Sequence, residues 1–148
     1  MASRVLQTDM TPQRGNALQA CVASLLHLEL SAVPNFILDP AGYWPAMLSH
    51  AASVGLSLAK LPLPEGKLPF PSCPGTLCIL RGLSPRGAHG HVVVGRVAAD
   101  GLSIEPVHDP HPDSTFLHGP AEWCAFYTCP EPAALLPARG ARAEPSDT

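Results

Sequence analysis

The sequence has few charged residues and no excess of basic ones. Asp, Glu, Lys and Arg together make up 14% of its 148 residues, and the formal net charge is −3. Proteins that bind nucleic acid or anionic membrane surfaces through charge carry clusters of Lys and Arg, and no such cluster occurs here. The composition therefore predicts neither a nucleic-acid partner nor a membrane partner.

The sequence also lacks long apolar runs and a secretion signal. No run reaches the length of a membrane-spanning helix, and the opening MASRVLQTDMTP has no apolar core of signal-peptide length. We therefore expect a cytoplasmic protein. The five cysteines, an odd number without a signal, argue against a disulfide framework. Two pairs have C-x4-C spacing, which is looser than a zinc knuckle, so we expect buried, reduced thiols.

Periodic apolar residues in the first half of the chain predict two helices. The first covers residues 17–27 and follows Asn16, a residue type that caps helices well. The second covers residues 44–54, with Pro45 in its first turn. The stretch 61–74 carries five prolines and is predicted to be a loop.

The second half of the chain predicts strands. They are GTLCILRG, HGHVVVGRV, LSIEPVHDP and EWCAFYTC, with AADG as a hairpin turn. Helices followed by strands indicate one α+β domain over residues 1–130, with the first helix packed on an antiparallel sheet. Residues 131–148, rich in Ala, Pro, Arg and Gly, are predicted to be a disordered tail.

Three features predict that catalytic groups lie near one another. The N-terminus of a helix is electropositive, and a cysteine there would have a lowered thiol pKa. His91 begins a strand and Asp109 follows its hairpin partner, so the two side chains should meet. A carboxylate beside a histidine fixes its tautomer and stabilises its charged form. This is the layout of a cysteine acyl-transfer enzyme.

Three segments of the chain resemble one protein family. GNALQACVASLLHLELSAVPNF is similar to the opening helix of bacterial and phage papain-like proteins, which reads G-[ND]-C-x-x-A-x-x-A-S-L-L-x-L-x-x-x-x-V-P-x-F. GHVVVGR and VHDPHP resemble that family's later segments, G-H-x-V-V and H-D-P-x-P, and the three together span roughly residues 7–114. The double-glycine leader peptidases of bacteriocin transporters are more distantly similar. The resemblance implies a papain-like fold and a cofactor-free thiol hydrolase or acyltransferase. Its substrate would be a peptide, isopeptide or other amide of a peptide, protein or small molecule.

The resemblance implies a role for individual residues. It places the nucleophile at Ala17, the general base at His91 and the acid that orients this base at Asp109. Gln7 matches the glutamine with which papain-like enzymes help to hold the oxyanion, and Gln13 is the alternative. The backbone N–H of residue 17 would supply another oxyanion donor.

Alanine at position 17 provides no nucleophile, so the chain as written is expected to bind a substrate without turning it over. Three explanations are open. The chain is an engineered Cys→Ala form, or it is a natural pseudoenzyme that acts as a binding or regulatory module, or Cys21 has replaced the nucleophile. We favour the first because His91, Asp109 and Gln7 remain in place. Cys21 is least favoured because it lies one turn along the helix, about 6 Å up the axis, and fits the apolar pattern.

A metal site is a further alternative, and a metal-dependent protein is the function that it would imply. The candidate ligands are His89, His91, His108, Asp109, His111 and His118. Side chains on a strand alternate between its faces, so these residues do not all converge, and we expect no bound metal. Aromatic residues near the second helix and the last strand are expected in the core rather than in a cleft. They are Tyr43, Trp44 and Trp123. The oligomeric state does not follow from the sequence.

Overall fold

The computed structural model describes residues 3–129, which form two α-helices and a five-stranded antiparallel sheet. Helix α1 spans Ala17–Leu26 and α2 spans Tyr43–Ser53. The strands are β1 Ser57–Pro62, β2 Leu77–Leu83, β3 Gly90–Val97, β4 Ile104–His108 and β5 His118–Thr128. Single 3-10 turns occur at Leu30–Ala32, Phe36–Leu38 and Pro64–Gly66. The α+β class is as predicted, while the predicted tail, residues 131–148, lies outside the described residues.

Both helices lie within one residue of their predicted ends. Helix α1 ends because His27 adopts the left-handed conformation, with φ 56°, and its N–H donates to the carbonyl of Ala23. The first turn of α2 contains Pro45, where its missing N–H costs no intrahelical hydrogen bond.

Asn16 precedes α1 as predicted, but the expectation that its side chain caps the helix was wrong. Its side chain makes no capping hydrogen bond. Instead, Asn16 Oδ1 accepts the backbone N–H groups of Thr8 and Asp9 at 2.8 and 2.9 Å. Asn16 therefore fastens the extended N-terminal arm to the start of α1.

The sheet has the strand order β1-β5-β2-β3-β4, and every neighbouring pair is antiparallel. The predicted hairpin joins β3 and β4, and Val94 pairs with His108 in its register. The prediction of a loop from residue 61 onward was wrong for its first two residues, because they end β1. An edge strand tolerates the proline at position 62, since β1 pairs on one side only.

The sheet separates two apolar layers because successive side chains of a strand point to opposite faces. The layer beneath α1 contains Cys21, Val22, Phe36, Met47, Ile79 and Val94, all fully buried. The opposite layer contains Leu63, Leu68, Cys78, Leu80, Val93, Val97 and Cys124. Three cysteines are thus buried as expected, but Cys73 is exposed and Cys129 is half-buried.

Neither α1 nor α2 is long and apolar enough to span a membrane by itself. Helix α1 and the following segment Leu30–Leu38 meet the length and composition criteria only as a pair bent by 99°.

Candidate active site

A buried histidine–carboxylate pair lies at the end of the β3–β4 hairpin. His91 is the second residue of β3, and Asp109 directly follows β4. His91 Nε2 lies 2.7 Å from Asp109 Oδ1, and both side chains are almost completely shielded from solvent. The hairpin therefore brings together the two residues that the sequence placed on neighbouring strands.

Asp109 is held in place by three donors. Besides the His91 ring, Asp109 Oδ1 accepts the N–H of His111 at 3.0 Å, and Oδ2 accepts the N–H of Phe116 at 2.8 Å. Burial by itself would raise the pKa of Asp109, but the hydrogen bonds from His91, His111 and Phe116 outweigh it and lower the pKa. Asp109 is therefore an ionised, acceptor-only carboxylate at neutral pH.

The ionised carboxylate determines which nitrogen of a neutral His91 carries the proton. Because Asp109 can only accept, His91 Nε2 must donate to it. The other ring nitrogen, Nδ1, then has a free lone pair, and it makes no hydrogen bond to any residue in the range 3–129. An imidazole in this state can take a proton from a group placed beside Nδ1.

His91 lines an open cavity of about 450 Å³ that also reaches the beginning of α1. Ala17, the first residue of α1, lies in the wall of the same cavity with 9% of its surface exposed. Asp109 lies behind His91 and outside the lining. The arrangement brings the predicted nucleophile position, base and acid together at one site.

The structure distinguishes between the two candidate glutamines. Gln7 is buried and lines the cavity, whereas Gln13 is exposed and does not. Gln7 Nε2 donates one hydrogen to the carbonyl of Asp9 at 2.9 Å, and Oε1 is buried without a partner among residues 3–129. The backbone N–H of Gln7 donates to the carbonyl of Pro110, which anchors the arm beside Asp109. Gln7 keeps a second N–H on Nε2 that a ligand in the cavity could accept.

Cys21 does not line the cavity. Its side chain is fully buried beneath α1 and is not among the lining residues. Burial raises the pKa of the Cys21 thiol, and the negative charge of Asp109 raises it further. Both effects oppose thiolate formation, so Cys21 does not replace the missing nucleophile.

The histidines of the proposed metal cluster are dispersed. His108 Nε2 donates to the carbonyl of Val5 at 2.8 Å, which is a structural role, and His118 is exposed. His89, His91 and His111 do line the cavity, with the last two rings edge-to-face at 6.5 Å. Between residues 3 and 129, no group of three His, Cys, Asp or Glu side chains is arranged to hold a metal ion.

Part of the cavity wall was not predicted from the sequence. Tyr43 and Trp123, expected in the core rather than in a cleft, pack against the core cluster but also line the cavity, and their rings stack at 6.2 Å. Lys60 Nζ lies 4.3 Å from the centre of the Trp123 ring and donates to the Tyr43 hydroxyl, which fixes this aromatic wall. Arg81 and Arg86 also line the cavity. Arg81 is a charged residue that directly follows the buried residues of β2, and this position could have identified it from the sequence.

We compared the chain with protein-family models, curated proteins and solved structures, and no match was found in any of the three.

Proposed function

We propose that the cavity is the amide-binding active site of a papain-like thiol hydrolase or acyltransferase, in a form that lacks its nucleophile. One observation carries the proposal: the first residue of α1 and a histidine braced by a buried carboxylate line the same cavity. Peptide, isopeptide and small-molecule amides all fit this chemistry, and the site requires no cofactor for it.

The reaction follows from these positions when residue 17 is a cysteine. The thiol gives its proton to His91 Nδ1, and the thiolate attacks the amide carbonyl. The backbone N–H of residue 17 and the second N–H of Gln7 stabilise the oxyanion. His91 then protonates the leaving amine, which leaves a thioester on residue 17. Either water or an acceptor amine then attacks this thioester. Attack by water is hydrolysis, and attack by the amine is acyl transfer.

Asp109 supports this chemistry without contacting the substrate. Its hydrogen bond to Nε2 fixes the orientation of the His91 ring and keeps Nδ1 directed away from the carboxylate. With Ala17 in place no thiol is available, so the chain binds the amide and leaves it intact.

A natural pseudoenzyme that binds peptides or other ligands is the second candidate. It is favoured by the identity of Ala17 and by the observation that, among residues 3–129, no cysteine lines the cavity. Both candidates predict ligand binding, and they differ in whether the site still activates a thiol.

Restoring the thiol distinguishes the two candidates. The variant Ala17→Cys is treated with iodoacetamide from pH 4 to 9, and labelling is read at residue 17 by peptide mass spectrometry. For the enzyme we expect labelling to persist at least two pH units below the ordinary cysteine pKa of about 8.5. Adding His91→Ala should return the profile to that of an ordinary thiol.

The exposed Cys73 supplies a reference thiol in the same molecule. If residue 17 is labelled with the same pH dependence as Cys73, and if His91→Ala does not change that dependence, the site does not activate a thiol. That result would reject the enzyme and favour the binding module.

A further inference from the structure

The cavity is lined by two chemically different groups of residues. One group, here called the cationic wall, consists of the basic residues Arg81, Arg86, His89 and His111. The other large lining residues are apolar or aromatic and include Met10, Ile37, Tyr43 and Trp123, the last of which pairs with Arg81 in the sheet. No Asp or Glu among residues 3–129 lines the cavity. In a chain of net charge −3, this distribution of basic groups is not a consequence of composition.

Both arginines are braced from outside the cavity. Arg86 Nη1 donates to both carboxylate oxygens of Asp113, at 3.0 and 3.1 Å, and to the Thr115 hydroxyl at 2.9 Å. Arg81 Nη1 donates to Glu122. A guanidinium has five N–H donors, and Nε and Nη2 of both arginines make no hydrogen bonds to residues 3–129. The carboxylates thus orient the guanidinium groups and leave donors for a ligand.

Gly90 makes room for the first of these arginines. A Cβ atom at Gly90 would overlap the guanidinium of Arg81, which therefore lies across the backbone of β3. Gly90 itself lines the cavity and directly precedes His91. The positive charge is consequently held next to the catalytic histidine rather than at a distant rim.

The size of the cavity sets the length scale that separates an anionic group on the cationic wall from the reacting amide. A volume of about 450 Å³ corresponds to a diameter of roughly 9 Å, which is about three residues of extended chain. We propose that the cationic wall binds a carboxylate of the substrate, within one or two residues of the amide bond presented to residue 17. The ligand class is an acidic peptide, and this inference rests on the proposed function for the position of the amide.

Two alkylating reagents that differ in one charged group test the inference. The variant Ala17→Cys is treated with iodoacetate, which carries a carboxylate, and with neutral iodoacetamide. The measured quantity is the ratio of the two rate constants at residue 17, divided by the same ratio at Cys73. We expect a normalised ratio of at least 10. A value near 1 would overturn the inference.

Arginine variants identify the source of the preference. In the Ala17→Cys background, Arg81→Gln and Arg86→Gln should each lower the normalised ratio at least three-fold. Gly90→Ala keeps the charge of Arg81 but displaces its guanidinium, and should act in the same direction. Arg96→Gln is the matched control, because Arg96 pairs with Glu105 on the surface outside the cavity lining. An unchanged ratio in both cavity variants, or an equal loss in Arg96→Gln, would contradict the inference.

Competition separates a carboxylate site from a phosphate site. Succinate should protect residue 17 from iodoacetate at lower concentration than inorganic phosphate does, and the reverse order would overturn the assignment to an acidic peptide. The fraction of thiolate enters both rate constants equally and cancels in the ratio. A slow reaction with both reagents but a raised ratio would reject the proposed enzyme while supporting the cationic wall.

Discussion

Removing the carboxylate of Asp109 should destabilise the fold as well as the site. The substitution Asp109→Ala removes the acceptor for His91 Nε2 and for the backbone N–H groups of His111 and Phe116. These amides belong to the segment that connects β4 to β5, in which Phe116 has a left-handed backbone conformation with φ 63°. Such a conformation is unfavourable for a residue with a side chain, and the hydrogen bond to Asp109 helps to maintain it.

The expected magnitude follows from the number of donors left without partners. An unsatisfied buried donor costs about 1–3 kcal/mol, and the lower end applies here because both amides are only partly buried. Two amides at about 1 kcal/mol each, plus about 1 kcal/mol for the lost partner of His91, give a decrease of ~3 kcal/mol in the free energy of unfolding.

Urea denaturation followed by tryptophan fluorescence measures this decrease, and its pH dependence provides a second check. The folded-state pKa of Asp109 is below its ordinary value of 3.8, so its stabilising contribution is complete above that pH. Below pH 3.8 the contribution falls as the pH approaches the folded-state pKa. The difference between the parent chain and Asp109→Ala should therefore be largest near neutral pH and shrink in acid.

Asp113→Ala is the control for this prediction. Asp113 lies in the same segment, but its pair with Arg86 and the hydrogen bonds that it accepts from Thr115 are exposed to solvent, so we expect less than about 1 kcal/mol. If Asp109→Ala costs no more than this control at pH 7, or if its effect grows in acid, the carboxylate does not anchor the segment.

Three further predictions concern the remainder of the chain. Asn16→Ala should lower the free energy of unfolding by about 2 kcal/mol, since two amides of the N-terminal arm lose their acceptor. Asn16→Ser should cost nearly as much, although serine is a good helix cap, and a neutral effect in denaturation would show that capping is the role after all. His27→Gly should stabilise the fold by about 0.5–1 kcal/mol in the same assay, because glycine adopts φ 56° without strain, and His27→Ala should not. Native alkylation should label Cys73 and spare Cys21 until the chain is unfolded, and early labelling of Cys21 would contradict its burial.

The pattern of apolar residues was sufficient to predict most of the fold. Both helices were predicted from apolar residues at helical spacing, and four strands were predicted from short apolar or β-branched runs and the turn signals between them. Strand β1 was missed because SLAKLP is an edge strand with few buried positions and a terminal proline. Its pairing with β5 depends on a partner at least 61 residues away, the separation of Pro62 and Trp123, which no local sequence pattern records.

The candidate site was only partly predictable. The hairpin between β3 and β4 brings His91 and Asp109 together. The positions of these two residues and the turn signal between the strands were therefore enough to predict their contact. Gln7 was assigned by resemblance, and its actual neighbours depend on Asn16, whose side chain fastens the arm. The cationic wall was missed because its residues come from β2, from the following loop and from the segment after β4, and only the folded sheet places them around one cavity.

The geometry at residue 17 predicts that the fold tolerates cysteine in place of alanine. Ala17 belongs to the buried cluster with Leu18 and Val92, but its side chain borders the cavity rather than a filled interior. Overpacking a filled core costs about 1–3 kcal/mol, whereas a sulfur atom added here has open space beside it. Ala17→Cys should therefore fold with a free energy of unfolding within about 1 kcal/mol of the parent chain. A difference in reactivity between residue 17 and Cys73 then reports the groups around the cavity, which are the N-terminus of α1, the base His91 and the cationic wall, rather than a change of fold.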